Sequence, residues 1–177
     1  FTYSVNLVRI IYYICKLFQS SEMKIINTST EKVYLVEILS VEDEDFNSLG
    51  EERYFFDWET ERNQEIYKLQ IVGSKDILGL MSLERIPEEW RIHVRLLTVS
   101  KENKGRNKQF DNITGNLLAY AAKLAVKDYG ELACISLRPK TQIADHYIRK
   151  YGMTVTGLTL SIEVPDILTL INTYDHE

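Results

Sequence analysis

An α/β (α+β) fold, a mixed and mostly antiparallel sheet flanked by helices, is what this sequence predicts. Three observations carry it. Between residues 65 and 100 three strand-like runs, "EIYKLQIV", "ILGLMSLERI" and "WRIHVRLLTVS", follow one another closely. The apolar period then changes from two to about 3.6 through "ITGNLLAYAAKLAVKDYG". A further strand, "LACISLRP", and a further helix, "TQIADHYIRKYG", come next.

Taken in order, "FTYSVNLVRIIYYICKLFQSSE" comes first. Leu7, Ile10, Ile11, Ile14, Leu17 and Phe18 share one helical face, while Arg9 and Lys16 break any continuous apolar run. The run is too short for a membrane span and lacks the basic start and cleavage site of a signal peptide. It reads as an upstream extension, because Met23 opens "MKIINTS" like a natural start, or as an extra amphipathic helix. Such a helix would pack on the domain or on a second copy of the chain in a homodimer. The domain proper then runs over 23–177.

"KVYLVEIL" is β-branched and aromatic, hence a strand. The acidic "SVEDEDFNSLGEER" predicts a short helix and a loop. "GSKD" between the first two meander runs is a hairpin signal, and Pro87 marks the next turn. In the central helix Ile113, Leu117, Ala121 and Leu124 lie along one face, and Gly130 stops it. Thr141 is a candidate N-cap for the following helix, which ends at Gly152. "MTVTGLTLSIEV" supplies a strand or hairpin, and Pro165 starts a closing helix.

At 177 residues with 8 Gly and 3 Pro, the chain suits one folded domain without long linkers. A net charge of −5 argues against general nucleic-acid binding, which needs a basic footprint. Cys15 and Cys134 are far apart and the three histidines are scattered, so no metal site is expected. This cysteine usage suits a reducing cytoplasm, and Cys134 reads as a small buried hydrophobe.

The loop "KENKGRNKQFDN" leads from a strand into the central helix and carries Lys101, Lys104, Arg106 and Lys108. A helix N-terminus with unblocked N–H groups and nearby positive charge can hold a pyrophosphate. The same pattern also fits an ordinary solvated loop before a core helix.

Strand order, loop and helix resemble the GCN5-related N-acetyltransferases, the GNAT superfamily. Its loop pattern is Gln or Arg, two residues, Gly, any residue, then Gly or Ala, with a pair of apolar residues soon after. Here Gln109, Asn112 and Thr114 occupy those positions, Gly115 comes one position late, and Leu117 and Leu118 follow. Both motif glycines are thus replaced. Asn tolerates a left-handed backbone, whereas Thr114 sets a side chain where the pyrophosphate would approach. "DHYIRKYGM" places Tyr147 at the family's helical tyrosine, with one extra residue before Gly152. Features such as "FDW", "YKL", "ENKG" and "GNLLAYAAKL", over roughly residues 53–153, also resemble uncharacterised GNAT-like proteins of Bacteroides-type bacteria.

The resemblance implies an acetyl-CoA-dependent N-acetyltransferase, an acyltransferase of groups other than aminoacyl, acting on a primary amine by direct transfer and without a metal. Its alternative is a GNAT-fold module that binds a ligand or protein without catalysis. Acetyl-CoA would be held by the backbone at Leu97, Thr98 and Val99 and by Lys104, Gln109, Asn112, Ile113, Thr114 and Gly115. Tyr147 is the candidate general acid for the leaving thiolate, or else a core tyrosine. Glu84 and His93 are the candidate bases, or else sheet-surface residues. The acceptor would be a small-molecule or peptide amine. The acidic run Glu42, Asp43, Glu44, Asp45, with Glu51 and Glu52, would favour a cationic one, or is simply solvated.

Overall fold

The computed structural model describes residues 22–176. They fall into two compact units, one built from Met23–Glu84 with Val94–Leu118, the other from Arg85–His93 with the chain from Ala119 onward. The amphipathic helix expected ahead of Met23 lies outside the described residues.

The first unit begins with a strand that sequence reading missed, β1 (Glu22–Asn27). Its partner β2 (Val33–Ser40) pairs antiparallel, Ile25 opposite Tyr34. The turn between them is set by Asn27, whose Oδ1 accepts the N–H groups of Ser29 and Thr30, each at 3.0 Å. The acidic stretch then forms a 3-10 turn over Asp45–Ser48 and one short helix, α1 (Glu51–Tyr54).

The meander is present as expected. β3 (Glu65–Ile71) pairs antiparallel with β2 and with β4 (Ile77–Ile86), Tyr67 lying opposite Met81. β5 (Arg91–Val99) is the next strand in the sheet. From Ile77 to Leu83 every residue of β4 is buried, which is why this stretch reads as a continuous apolar run. Leu80 joins a cluster with Leu49, Tyr54, Trp58, Ile66 and Ile77. At Gly79 the absent side chain makes room for a helix. A Cβ there would stand 2.7 Å from Cγ2 of Ile113 and 3.1 Å from Cδ1 of Leu117. Both residues open α2 (Ile113–Tyr129). Before it lies the two-residue strand β6 (Phe110–Asp111), paired with β1.

The second unit takes the rest of α2, whose Ala119, Ala121, Ala122 and Ala125 are fully buried. Gly130 follows it with a φ of +60°, as its stop position requires. β7 (Cys134–Leu137) lies beside the start of β5 and pairs antiparallel with β9 (Thr159–Glu163). β9 in turn forms a hairpin with β8 (Thr154–Thr156). Alternation gives this sheet two unlike faces. Ile135, Leu137, Leu160 and Ile162 form an apolar one, and Ser136, Ser161 and Glu163 lie on the other. Between the strands, α3 (Thr141–Tyr151) ends at Gly152, φ +71°. Lys140 holds its cap position and Thr141 is its first helical residue, so the expected Thr141 cap is displaced by one. α4 (Asp166–Tyr174) and β10 (Asp175–His176) close the chain, where Asp175 and Lys123 form a buried ion pair.

Candidate functional site

The first unit holds the loop and helix start singled out by sequence. Asn112 has a φ of +73°, so the position where the family pattern has its first glycine does adopt the left-handed backbone. Asn supplies that geometry without Gly. The helix follows at once: Ile113 and Gly115 are buried and Thr114 is half-buried. By helix geometry the first N–H groups have no acceptor within the helix, and the macrodipole places partial positive charge there.

The loop before the helix is braced by residues that sequence reading did not single out. Asn103, 5% exposed, accepts the Phe110 N–H on Oδ1 and donates through Nδ2 to Ser100 Oγ, both at 2.9 Å. Ser100 in turn donates its N–H to the Leu78 carbonyl at 2.8 Å. Thr28 binds from the β1–β2 turn, Oγ1 donating to the Lys108 carbonyl at 2.5 Å and N–H to the Gln109 carbonyl at 3.0 Å. Asn116, in the first turn of α2, donates Nδ2 to the carbonyls of Lys24 and Asn112. The missed strand β1 and the turn after it therefore add to the bracing that Asn103 and Ser100 provide.

Charge around the helix start is less positive than the four basic residues suggest. Asp111 accepts the Asn112 N–H at 2.7 Å and the Lys108 ammonium at 2.8 Å, so Lys108 is already neutralised. Lys104 lies 4.0 Å over the Phe55 ring. Lys101 and Arg106 are exposed. Gln109 is exposed too, and its N–H is taken by the Glu102 carbonyl at 3.0 Å. At the end of β5, Leu97, Thr98 and Val99 are half-buried, and the Thr98 carbonyl lies 3.2 Å from where a Gly79 Cβ would stand. Of the four loop cations, Lys101 and Arg106 are thus joined to neither a carboxylate nor a ring among the described residues.

Glu84, also in the first unit, is 46% exposed and 3.5 Å from Arg95 Nη1. The same guanidinium binds Glu61, a buried carboxylate that no sequence signal picked out. Glu61 Oε2 accepts from Arg95 Nε at 2.9 Å and from Ser82 Oγ at 2.7 Å. The hydrogen bond from Arg95 holds Glu61 below the usual carboxylate range, against the opposing effect of burial. Of the acidic run, Asp45 is tied to Lys68 at 2.6 Å and Asp43 to Arg62 at 2.6 Å. Glu42, Glu44, Glu51 and Glu52 are exposed.

The second unit carries the other two candidates. Tyr147 is 9% exposed on α3, its ring edge-on to His146 and tilted against Tyr151. Burial raises its phenol above the ordinary value, so the proton is firmly held at neutral pH. His93 is bonded through Nδ1 to Ser136 Oγ at 2.8 Å, and Arg91 Nη1 donates to the same oxygen at 2.8 Å. Burial pushes the Cys134 thiol up to about 11, so at neutral pH it stays a protonated, buried group. Among the described residues no group of three or more His, Cys, Asp or Glu side chains could hold a metal ion. Nor is any described helix long and apolar enough to cross a membrane.

No protein-family model matches the chain, and no curated protein matches it by sequence. Solved structures do match. A GNAT-family acetyltransferase from Listeria monocytogenes superimposes with a TM-score of 0.54 at 12% identity, over 80% of this chain and 99% of that one. Spermidine/spermine N-acetyltransferase from Vibrio cholerae gives 0.53 at 14% identity, over 76% and 95%. PaiA N-acetyltransferase from Thermoplasma acidophilum, solved with coenzyme A, gives 0.51 at 14% identity, over 72% and 98%. The meander, the left-handed loop residue and the helix after it thus belong to a chain with the GNAT fold.

Proposed function

We propose that this protein is an acetyl-CoA-dependent N-acetyltransferase acting on a primary amine. The observation that carries the reading is the helix start of α2: a left-handed Asn112, N–H groups without intrahelical acceptors and a rigidly braced loop, on a fold shared with acetyltransferases. The pyrophosphate of the co-substrate would sit on the N–H groups of Ile113, Thr114 and Gly115, with Lys101, Lys104 and Arg106 supplying charge. The pantetheine arm would follow the backbone of Leu97, Thr98 and Val99.

In the transfer, the amine nitrogen attacks the thioester carbonyl, and the tetrahedral intermediate collapses with loss of the thiolate. The amine proton passes to a base, for which Glu84 and His93 are the candidates. The thiolate takes its proton from Tyr147, the tyrosine that the family resemblance assigns, whose burial keeps the phenol protonated and neutral. The acceptor class is open to small amines. One of the matched structures is a spermidine/spermine acetyltransferase, and Glu42, Glu44, Glu51 and Glu52 would attract a cation of that kind.

A second reading is supported by one feature. Asp111 puts a carboxylate next to the helix start, and Thr114 adds a side chain there, both of which disfavour a pyrophosphate. On that reading the fold serves as a binding module without catalysis. Thiol release from acetyl-CoA over a panel of amines separates the two. Release with at least one amine, abolished in Tyr147→Phe, supports the enzyme with Tyr147 as acid. Binding of acetyl-CoA without release for any amine supports the module.

A further inference from the structure

The two faces of the first unit's sheet are covered unequally. Along β1–β3 one face carries Ile25, Val36 and Leu69, all buried. Leu69 lies opposite Gly79, the position against which α2 packs. On the other face Ile66 and Leu80 lie under Leu49, Tyr54 and Trp58. That cover stops at β3. Beyond it Ile26, Val33, Leu35, Leu39 and Val72 stand between 37% and 55% exposed. Their register makes them one patch. Ile26 is opposite Val33, Val72 donates its N–H to the Leu35 carbonyl at 3.0 Å, and Val33, Leu35 and Leu39 alternate to the same side of β2. Single exposed aliphatic residues need no explanation, but a contiguous patch marks an interaction surface. The exposures are those of one chain alone, so whatever covers the patch comes from another molecule.

Residues 1–21 run directly into β1 at Glu22 and have the complementary character. They contain neither Gly nor Pro, and Leu7, Ile10, Ile11, Ile14, Leu17 and Phe18 share one helical face by their spacing. As a helix, Leu7 to Phe18 would span roughly 17 Å. The exposed stretch of β2 from Val33 to Leu39 spans roughly 20 Å. Arg9 and Lys16 fall on the opposite side of the helix from the apolar stripe, and the segment has no acidic residue. Its charge therefore draws it towards a chain whose net charge is −5.

We infer that this patch receives the amphipathic segment 1–21 of a second copy of the chain, which receives the first copy's segment in return. The exchange is isologous, so the same two surfaces meet twice about a two-fold axis. Each contact lays a helical stripe on an apolar sheet face, and each covers what the other would leave in water. The segment is present wherever the patch is, in equal number, because one chain carries both.

Sedimentation equilibrium of the full chain tests it. A dimer of twice the 20.7 kDa chain mass is expected. Leu35→Glu sets a charge in the patch, and Ile10→Glu/Ile14→Glu sets two in the stripe. Each should weaken dimerisation by about tenfold or more. Leu35 is half exposed, so the fold should tolerate the change, and circular dichroism checks it. Should that spectrum alter, Val72→Lys repeats the patch test at a residue just past β3. Mixed in equal amounts, the patch and stripe variants should associate more tightly than either alone, since the intact stripe of one meets the intact patch of the other. A monomeric wild type overturns the inference. So does a dimer that the patch variant weakens and the stripe variant does not, which would be sheet against sheet. The opposite pattern, which would seat the segment elsewhere, overturns it as well, and so do mixed variants that stay monomeric. These readouts are of mass alone, so a failed transfer assay leaves them untouched.

Discussion

Asn103→Ala tests whether the loop before α2 is held as described. Asn103 is 5% exposed and makes two hydrogen bonds of 2.9 Å, one from the Phe110 N–H and one to Ser100 Oγ. Alanine removes both and leaves a buried backbone N–H without an acceptor. An orphaned buried donor costs about 1–3 kcal/mol. The bonds from Thr28 to Lys108 and Gln109 survive, which keeps the estimate near ~2 kcal/mol. For a chain of this size that lowers Tm by about 4–8 °C. Differential scanning calorimetry measures it, with Arg106→Ala, on the exposed part of the same loop, as a control expected within ~0.5 kcal/mol of wild type. If Asn103→Ala shifts Tm by less than about 1 °C, the bracing argument is wrong.

Three further outcomes follow from the same structure. Gly79→Ala places a Cβ 2.7 Å from Ile113 and should cost about 1–3 kcal/mol by overpacking, read by urea unfolding; a neutral result would mean that α2 can shift freely. Burial pushes the Tyr54 phenol from 10.0 to about 12, so stability should be full below pH 10 and fall as the pH rises from there towards 12. Tyr54→Phe should remove that part of the alkaline loss, and an identical alkaline profile would count against it. Glu61 titrates below its ordinary 4.5, so its contribution is present above that pH and lost as the pH drops through the folded value. Glu61→Gln should therefore destabilise at pH 7, by about 1–2 kcal/mol given that Arg95 is a third exposed, and converge with wild type in acid.

What was legible in the sequence was what local periodicity encodes. The meander and the central helix each repeat their pattern over enough residues to be read without knowing their neighbours. Asn112 was legible too, because a left-handed backbone restricts residue type. β1 was not, since "EMKIIN" is short and becomes a strand by pairing with β2 and β6, the latter more than eighty residues on. With β1 missed, the roles of Thr28 and Asn116 could not be seen. Charges misled for a related reason. Asp43 and Asp45 look like free acid in the run, yet their partners Arg62 and Lys68 come 19 and 23 residues later. Glu61 sits in the polar string "ETERNQ" and reads as solvent-facing, but Ser82 and Arg95 enclose it. Recognition of a pantetheine arm by the backbone of Leu97, Thr98 and Val99 would leave no side-chain signature. That part of the proposed site could not be read from residue types, unlike the helix start, which the loop pattern marked.

The geometry of that helix start is tested most directly by titrating acetyl-CoA into the protein and following Tm. If the helix start of α2 holds the co-substrate, saturation at about 100 times Kd stabilises the fold by ~2.7 kcal/mol, a rise of several degrees. The rise should persist with desulfo-CoA, which keeps the pyrophosphate, and shrink in Arg106→Ala. A flat Tm at millimolar acetyl-CoA would contradict the account at its centre.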